Sequence, residues 1–435
     1  MSAQKPREIA FRVLLEHREG AHFLEYLLER AFAKAPMSPA DRALAQELAF
    51  GVTRWEKTLD WLIAQKTRER PAKPALEILL RLGLYQLFWL DRIPDHAAVN
   101  ETVELAKHAG FKSQAGFINA VLRGFLRERE ITRQKLAELR ERNPALGLSH
   151  PEWLYRRWQE RYGEVDARRL MQWNNQPPPT YARVNTIKTE TTRLTEAWKT
   201  EGVEFRGCQF DWVPANTVFE LLEHPPLVSL KSFLDGGFYV QDPSTLFSVH
   251  ELAPKPGETI LDMCAAPGGK STYIAALMNN IGKIVATDLS PGRLELVRQN
   301  IARLGVTCAT IEPWSAAISQ SPRASFDRIL LDVPCSNTGV MRRRVELRWR
   351  IQAEELERLV KEQRDLLEHA AQLIKPGGVI VYSTCSLEPE ENVELIDGFL
   401  QSHPRFAVKA RAGRAELLPF RDGVDGAFTA ILSHS

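Results

Sequence analysis

The sequence predicts a multidomain chain: an all-α bundle at the N-terminus, a small α+β linker subdomain, and a C-terminal α/β domain with a doubly wound sheet. Three observations predict it. Apolar residues recur at helical spacing, with no strand-period stretch, up to about residue 140. From Gly236 onward, strand-like and helix-like segments alternate. The small-residue and cysteine-bearing loops of that second region each sit directly after a strand, where an open α/β sheet binds its ligands. At roughly 100–200 residues per domain, 435 residues hold two to four domains, and the expected boundaries are 1–142, 143–235 and 236–435.

Apolar residues make up 44% of the chain and charged residues 26%, the composition of an ordinary soluble globular protein. No run approaches the roughly 18 uninterrupted apolar residues of a membrane helix. The first thirty residues interleave charge with apolar side chains, which is not the pattern of a secretory leader. The cysteines at 208, 264, 308, 335 and 385 are therefore expected to stay reduced in the cytoplasm. With no CxxC pair or Cys/His cluster, no metal site is expected. Residues 1–142 carry 24 Lys and Arg against 19 Asp and Glu, and the remainder 33 against 36. A basic front end on a near-neutral body fits a solvated surface or a polyanionic partner.

In the N-terminal region Ile9, Ala10, Val13 and Leu14 share a helix face, and Leu24, Leu27, Leu28 and Ala31 repeat the spacing. Ser38-Pro39-Ala40-Asp41 reads as an N-cap, a proline at the first helical position and a first-turn acid. Leu44, Leu48, Val52 and Trp55 follow on that helix. Further helices are expected over 75–89, 95–108 and 114–128, with breaks at Pro71, Pro74 and Pro94. The segments Leu80-Arg-Leu-Gly-Leu-Tyr-Gln-Leu87, Ile93-Pro94, Val99-Asn100-Glu101 and Phe117-Ile-Asn-Ala-Val-Leu-Arg123 resemble the NusB-like RNA-binding domain family across nearly the whole bundle. The resembling positions are mostly core, so they speak for fold more than for function. The basic stretch from Arg123 through Arg127, Arg129, Arg133, Lys135 and Arg140 to Arg142 reads as an RNA-facing surface. Glu128, Glu130, Glu138 and Glu141 make an ion-paired, solvated helix an equal reading.

Asn143-Pro144 and Ser149-His150-Pro151 mark a linker, followed by a basic, aromatic helical stretch from Trp153 to Trp173. Pro177-Pro178-Pro179 breaks it, and Thr180 to Asn185 reads as a strand. Here Arg169 and Arg183 with Tyr155, Tyr181 and Trp173 suit phosphate and base contacts, or the aromatics are simply core. Beyond Gly236 the expected strands are 258–263, 283–288, 329–332 and 379–383. The expected helices are 271–278, 293–304 and 354–374.

The loop after the first of these strands reads Leu261-Asp262-Met263-Cys264-Ala265-Ala266-Pro267-Gly268-Gly269-Lys270-Ser271. Small residues let backbone approach a ligand, and the amides at the helix start face whatever binds there. Gly269-Lys270-Ser271 matches the tail of a P-loop, but that spacing needs glycine where Cys264 stands. A G-x-G-x-x-G dinucleotide loop is absent too. The second strand ends in Asp288, placed to accept hydrogen bonds from both hydroxyls of a ribose, although capping the helix that begins at Ser290-Pro291 is a competing role. Loop and carboxylate together imply an adenosine-containing cofactor without a large phosphate demand, which S-adenosylmethionine fits better than NAD.

Two cysteines stand in polar loops after strands: Asp332-Val-Pro-Cys335-Ser-Asn-Thr-Gly339 and Ser383-Thr-Cys385-Ser-Leu387. A buried cysteine is usually an inert small hydrophobe, the role expected of Cys208 and Cys308. Flanking Ser, Thr and Pro fit that role poorly for Cys335 and Cys385, and in a doubly wound sheet both strand ends can open onto one crevice. Two thiols beside a methyl donor suit one chemistry. Carbon-5 of cytosine attacks a sulfonium methyl group only after a thiolate has added to carbon-6. A base must then remove the carbon-5 proton and the enzyme thiol must leave. A carboxylate at ring nitrogen N3 stabilises the adduct, and Asp332 is placed to do so. Spacing does not rank the two thiols.

Taken together, Asp262-x-Cys-Ala-Ala-Pro-Gly-Gly-Lys270, Asp332-Val-Pro-Cys-Ser-Asn-Thr-Gly339 and Ser383-Thr-Cys-Ser-Leu387 resemble the three signatures of the RNA cytosine-carbon-5 methyltransferase family. With the NusB-like front end, the resemblance is to its bacterial small-subunit ribosomal RNA branch (Sun/Fmu type), along nearly the whole chain. That resemblance implies Cys385 as nucleophile and Cys335 as the thiol that assists release. It implies Cys264, Ala265, Ala266, Pro267, Gly268, Gly269, Lys270, Asp288 and Asp332 as contacts to S-adenosylmethionine or the target ring. DNA-modifying relatives carry their nucleophile in a Pro-Cys motif, which would favour Cys335 instead. Three departures stand out. Proline 313 occupies the spacing of a further acidic cofactor contact, with Glu312 beside it as a substitute. Val333 replaces the alanine of DAPCS, and Ala427 a phenylalanine of Asp-Gly-Phe-Phe.

Met341-Arg-Arg-Arg-Val-Glu-Leu-Arg-Trp-Arg350 follows the Cys335 loop, and its five arginines are expected to grip phosphates, the alternative being a solvated helix start with Glu354 and Glu355 as acidic partners. The target base must leave any stack to reach a thiol, so a flexible or locally opened RNA is expected. The expected function is methylation of carbon-5 of a cytosine in 16S ribosomal RNA by a cytoplasmic monomer. The same chemistry on transfer RNA, or a non-catalytic RNA-binding assembly factor, are the rival readings.

Overall fold

A computed structural model describes residues 6–20, 22–34, 37–67, 73–315, 322–409 and 415–435. The chain divides into two compact units, one built from the chain up to Gln176 together with Arg342–Arg350, the other from Pro177–Met341 and Ile351–Ser435.

Every regular element described in the first unit is helical, as the apolar spacing predicts. The helices include Pro6–Arg18, Leu24–Lys34, Pro39–Arg54, Glu56–Thr67, Pro74–Trp89, Asp95–His108, Ala115–Arg127 and Arg129–Arg142. Ser38 caps the third helix, its hydroxyl accepting from the Asp41 amide at 3.1 Å, with proline in the first turn. Pro74 opens its helix and so does mark a break, while Pro71 lies outside the described residues. Pro74–Trp89 is the central helix, with Leu76, Leu79, Leu80, Leu84 and Leu87 buried. The basic helix follows the ion-paired reading at two positions: Arg129 binds Asp95 at 2.6 Å and Arg133 binds Glu130 at 3.3 Å. Glu152–Asn174 bends at Gly163, whose φ is +80°, and Tyr155 follows the core reading, buried with Trp158.

The segment Arg342–Arg350 corrects the sequence expectation. Arg342 and Arg348 are buried, and Val345 belongs to the apolar core of the helical unit. The Arg348 guanidinium donates to the carbonyls of Arg54 at 3.2 Å, Ser149 at 3.2 Å and Asn174 at 3.0 Å, and to Asn175 Oδ1 at 2.8 Å. Arg342 lies over the Trp173 ring, 4.1 Å from its centroid, and the Trp349 indole donates to the Thr53 carbonyl at 2.7 Å. A planar five-donor head is the side chain best suited to satisfy carbonyls converging from several helix ends. Arg342 and Arg348 therefore work as internal bracing, and of the five arginines only Arg344 is exposed, Arg343 and Arg350 being half-buried.

The second unit holds two sheets. The smaller has strands β1 Thr180–Val184, β2 Glu204–Cys208, β3 Val218–Glu223 and β4 Phe238–Val240, in the antiparallel order β2-β3-β1-β4. Its core is aromatic, with Phe219 and Phe238 set edge-on to Trp198 at 5.5 and 5.3 Å. Tyr181 and Arg183 are buried: Tyr181 follows the reading of the aromatics as core, and Arg183 is not placed to meet an RNA phosphate.

The larger sheet comprises β5 Thr259–Asp262, β6 Lys283–Asp288, β7 Ala309–Pro313, β8 Phe326–Asp332, β9 Ile374–Thr384, β10 Phe406–Val408, β11 Glu416–Leu417 and β12 Ala427–His434. The order is β10-β12-β9-β8-β5-β6-β7, with β11 pairing β12. Strands β5 to β9 run parallel, and β12 lies antiparallel between β9 and β10. Ile260, Ala286, Leu330 and Val381 pack on one face, and Leu261, Val285, Leu331 and Tyr382 on the other. Such two-sided burial is what near-continuous apolar strands require. Strand order reverses about β5, and a ligand crevice opens at the carboxyl ends beside such a reversal. There β5, β6 and β8 finish on Asp262, Asp288 and Asp332.

Candidate active site

The loop after β5 is drawn tight before it enters the helix Gly269–Leu277. The Ala265 amide donates to the Thr287 carbonyl at 2.8 Å, and the Ala266–Pro267 peptide is cis. Gly268 has φ +102°. A Cβ on Gly269 would lie 2.7 Å from the Tyr239 ring, so a larger residue would force the loop off its seat. Asp262 is fully buried and accepts from Ser271 Oγ at 2.6 Å through one oxygen; the other has no partner. Burial pushes its carboxyl up to about 7, against the pull of the Ser271 bond.

Asp288 is 3% exposed. It accepts from the Ser290 amide at 3.0 Å and the Ala266 amide at 3.3 Å, with Arg293 Nη1 3.4 Å away. It thus joins the helix start to the small-residue loop. Lys270 forms an ion pair with Asp332. Cys264 is half-buried by surface, yet burial and the neighbouring Asp332, Asp262 and Asp288 carboxylates push its thiol well up. Glu312 lies on β7 opposite Thr287, and Pro313 opposite Asp288.

One residue read in the sequence as a phosphate contact has another role here. Arg183, on β1, donates to the Gly269 carbonyl at 2.8 Å and Thr272 Oγ1 at 3.0 Å, and its guanidinium lies 4.8 Å from the Tyr273 ring centroid. It fastens the small sheet to the helix that leaves the loop.

The two cysteine loops are neighbours because β8 and β9 are. Asp332 pairs with Ser383 in parallel register, so Cys335 and Cys385 lie a few residues beyond aligned strand ends. Their sulfurs stand 3.2 Å apart. Cys385 Sγ donates to Asn337 Oδ1 at 3.0 Å, and Asn337 Nδ2 donates to the Cys335 carbonyl at 2.6 Å. Cys335 is 7% exposed and Cys385 more open. The hydrogen bond to Cys385 and then burial hold the Cys335 thiol well above its ordinary range. A Cβ on Gly339 would meet the Cys385 carbonyl at 2.7 Å and Gly426 Cα at 2.8 Å. The glycines thus let the loops close on each other.

Between the two cysteine loops lies a group absent from the sequence reading. Glu391, fully buried, accepts from the Ser336 amide at 2.8 Å, from Gln363 Nε2 at 2.9 Å, and from the hydroxyls of Ser336 and Ser386. Burial raises its carboxyl despite those donors. The signal in the sequence was its place, six residues past Cys385. Cys208 and Cys308 lie in neither loop, and burial raises both thiols.

Residues 249–433 match the family model described as 16S rRNA methyltransferase RsmB/F, residues 4–127 match the NusB family, and residues 150–212 a Methyltr_RsmF/B-like, ferredoxin-like domain. The chain is 34% identical to the probable ribosomal RNA small subunit methyltransferase B of Bacillus subtilis (strain 168), covering 98% of both chains. The chain belongs to the ribosomal RNA small subunit methyltransferase B family. It is 35% identical to the ribosomal RNA small subunit methyltransferase B of Pasteurella multocida, over 98% of this chain and 95% of that one. The crystal structure of PH0851 superposes with a TM-score of 0.79 at 25% identity, covering 98% of each chain. Membership makes this chain a methyltransferase. It accounts for the three-part architecture of NusB-type helices, ferredoxin-like sheet and α/β methyltransferase domain.

Proposed function

We propose that the protein methylates carbon-5 of a cytosine in 16S ribosomal RNA, in the cytoplasm, with S-adenosylmethionine as donor and a transient cysteine–cytosine bond. The 3.2 Å separation of the Cys335 and Cys385 sulfurs carries the reading, because the chemistry needs two thiols at one base and has no use for them apart.

The cofactor's place fits the residues present. Asp288, at the end of β6, suits the ribose hydroxyls. The loop Cys264, Ala265, Ala266, Pro267, Gly268, Gly269 and Lys270 offers backbone without bulky side chains, and the unpartnered oxygen of Asp262 supplies an acceptor. When bound, S-adenosylmethionine supplies an electrophilic methyl group on sulfonium sulfur.

The remaining steps belong to the chain's own side chains. Cys385, the more open thiol, adds as thiolate to carbon-6, and the electron pair displaced from the C5–C6 bond makes carbon-5 nucleophilic. Asp332 contacts N3, and its pairing with Lys270 keeps it oriented. After carbon-5 gains the methyl, a base carries the carbon-5 proton to solvent, the C5–H electron pair re-forms the C5–C6 double bond, and the C6–S bond breaks with its pair on sulfur, regenerating the Cys385 thiolate. Cys335 assists this release: with its thiol held protonated beside Cys385, it keeps a proton within reach of the departing sulfur.

Cys385→Ala should abolish both methyl transfer and the covalent RNA adduct, whereas Cys335→Ala should accumulate the adduct, read on denaturing gels. The opposite pattern reverses the two roles. Bisulfite sequencing of ribosomal RNA from cells lacking the protein should reveal one unmodified cytosine, and an unchanged ribosomal profile overturns the substrate.

A further inference from the structure

The Glu391 carboxylate joins the two cysteine loops from the end of a short helical turn, Pro389–Glu391, and meets four donors from three separate parts of the chain. Ser336, next to Cys335, gives its amide and its hydroxyl. Ser386, next to Cys385, gives its hydroxyl. Gln363, on the helix Ala353–Leu373, gives its amide while also donating to the Pro334 carbonyl at 2.8 Å.

An anionic carboxylate is the one side chain that accepts all four and needs no proton of its own. Burying it is costly unless every lone pair is used, and here the donors are supplied by the residues adjoining the two thiols. We propose that Glu391 is a positioning residue that locks the Cys335 and Cys385 loops together and so sets the distance between the two sulfurs. It touches neither sulfur and acts through Ser336 and Ser386. The inference rests on the two-thiol chemistry above only for its meaning in catalysis, because the geometry can be read without RNA.

The test uses the full-length protein and diamide as oxidant. One thiolate adds to the diazene N=N bond, and the second displaces it, forming the Cys335–Cys385 disulfide and releasing the hydrazine. The linked peptides are quantified over time by mass spectrometry. Glu391→Ala should slow this disulfide at least tenfold. Glu391→Gln should stay within threefold, because its oxygen still accepts from the Ser336 amide and Gln363 while its amide donates to the two hydroxyls. Ser336→Ala and Ser386→Ala, each removing one limb, should fall between, and they decide the matter if Glu391→Ala does not fold. In methyl transfer, Glu391→Ala should lower kcat at least tenfold with KM for S-adenosylmethionine within twofold of wild type. A folded Glu391→Ala, or both serine variants, cross-linking at the wild-type rate overturns the proposal. So does a KM that rises in step with the loss of kcat. If no RNA is methylated by the wild type, the disulfide rates still decide the positioning role while the proposed function falls separately.

Discussion

Among single residues, Asp262 has the plainest consequence for pH. Its carboxyl is raised from 3.8 to about 7 by burial, so the folded state favours the protonated form. The stability it contributes is fully present below about pH 4 and is lost as pH rises towards 7. Asp262→Asn keeps an acceptor for Ser271 without the charge. Its melting temperature should fall less than that of wild type between pH 4.5 and 7.5, the difference corresponding to on the order of 2–4 kcal/mol. Parallel pH profiles for the two proteins would refute this. The residues proposed for the site were legible as candidates. Cys335 and Cys385 betray themselves by polar flanks after strands, and Asp288 by its place at the end of β6. Glu391 was not, and Arg183 was read for another role, because neither sits in the loop it holds. A carboxylate six residues beyond a cysteine and an arginine more than eighty residues before a glycine loop become partners only once strands and helices have been stacked.

Individual elements show the same division. Helices such as Asp95–His108 and strands such as β6 end where the spacing of apolar residues places them. The antiparallel β12 carries no local mark of its direction: Phe428 to Leu432 is apolar except for Thr429, and only pairing with β9 fixes its sense. The arginine run shows how a local reading goes astray. Charge next to an active-site loop suggests phosphate contact, yet whether a guanidinium meets solvent or carbonyls is decided by residues near 54, 149 and 174. Arg348→Met should therefore act on folding. Removing the guanidinium strands buried carbonyls, at about 1–3 kcal/mol for each unpaired group, and urea unfolding should show a loss of at least 3 kcal/mol. Arg344→Ala, on the exposed member, should leave stability within about 0.5 kcal/mol of wild type.

Across the whole molecule, what the sequence could not reveal is that one unit is assembled from two distant stretches of chain. Val345, Glu346, Arg348 and Trp349 complete the helical unit: Glu346 accepts from the Leu24 amide at 3.0 Å, and the others fill its core or bind its carbonyls. A fragment ending at Gln176 should consequently melt at lower temperature than the same unit within the full chain. A synthetic peptide of residues 342–350 added in trans should raise that melting point, and a fragment indifferent to the peptide contradicts the assignment.

That discontinuity also imposes an order in time. During synthesis the first 176 residues leave the ribosome well before residue 350 has been joined to the chain, and domains generally fold as units in the order they emerge. Here the earliest part must wait, with an unfilled seat, until most of the sheet that follows has been translated. Nascent chains halted before Arg342 should thus be more open to protease in their N-terminal portion than chains halted after Arg350 has cleared the exit tunnel.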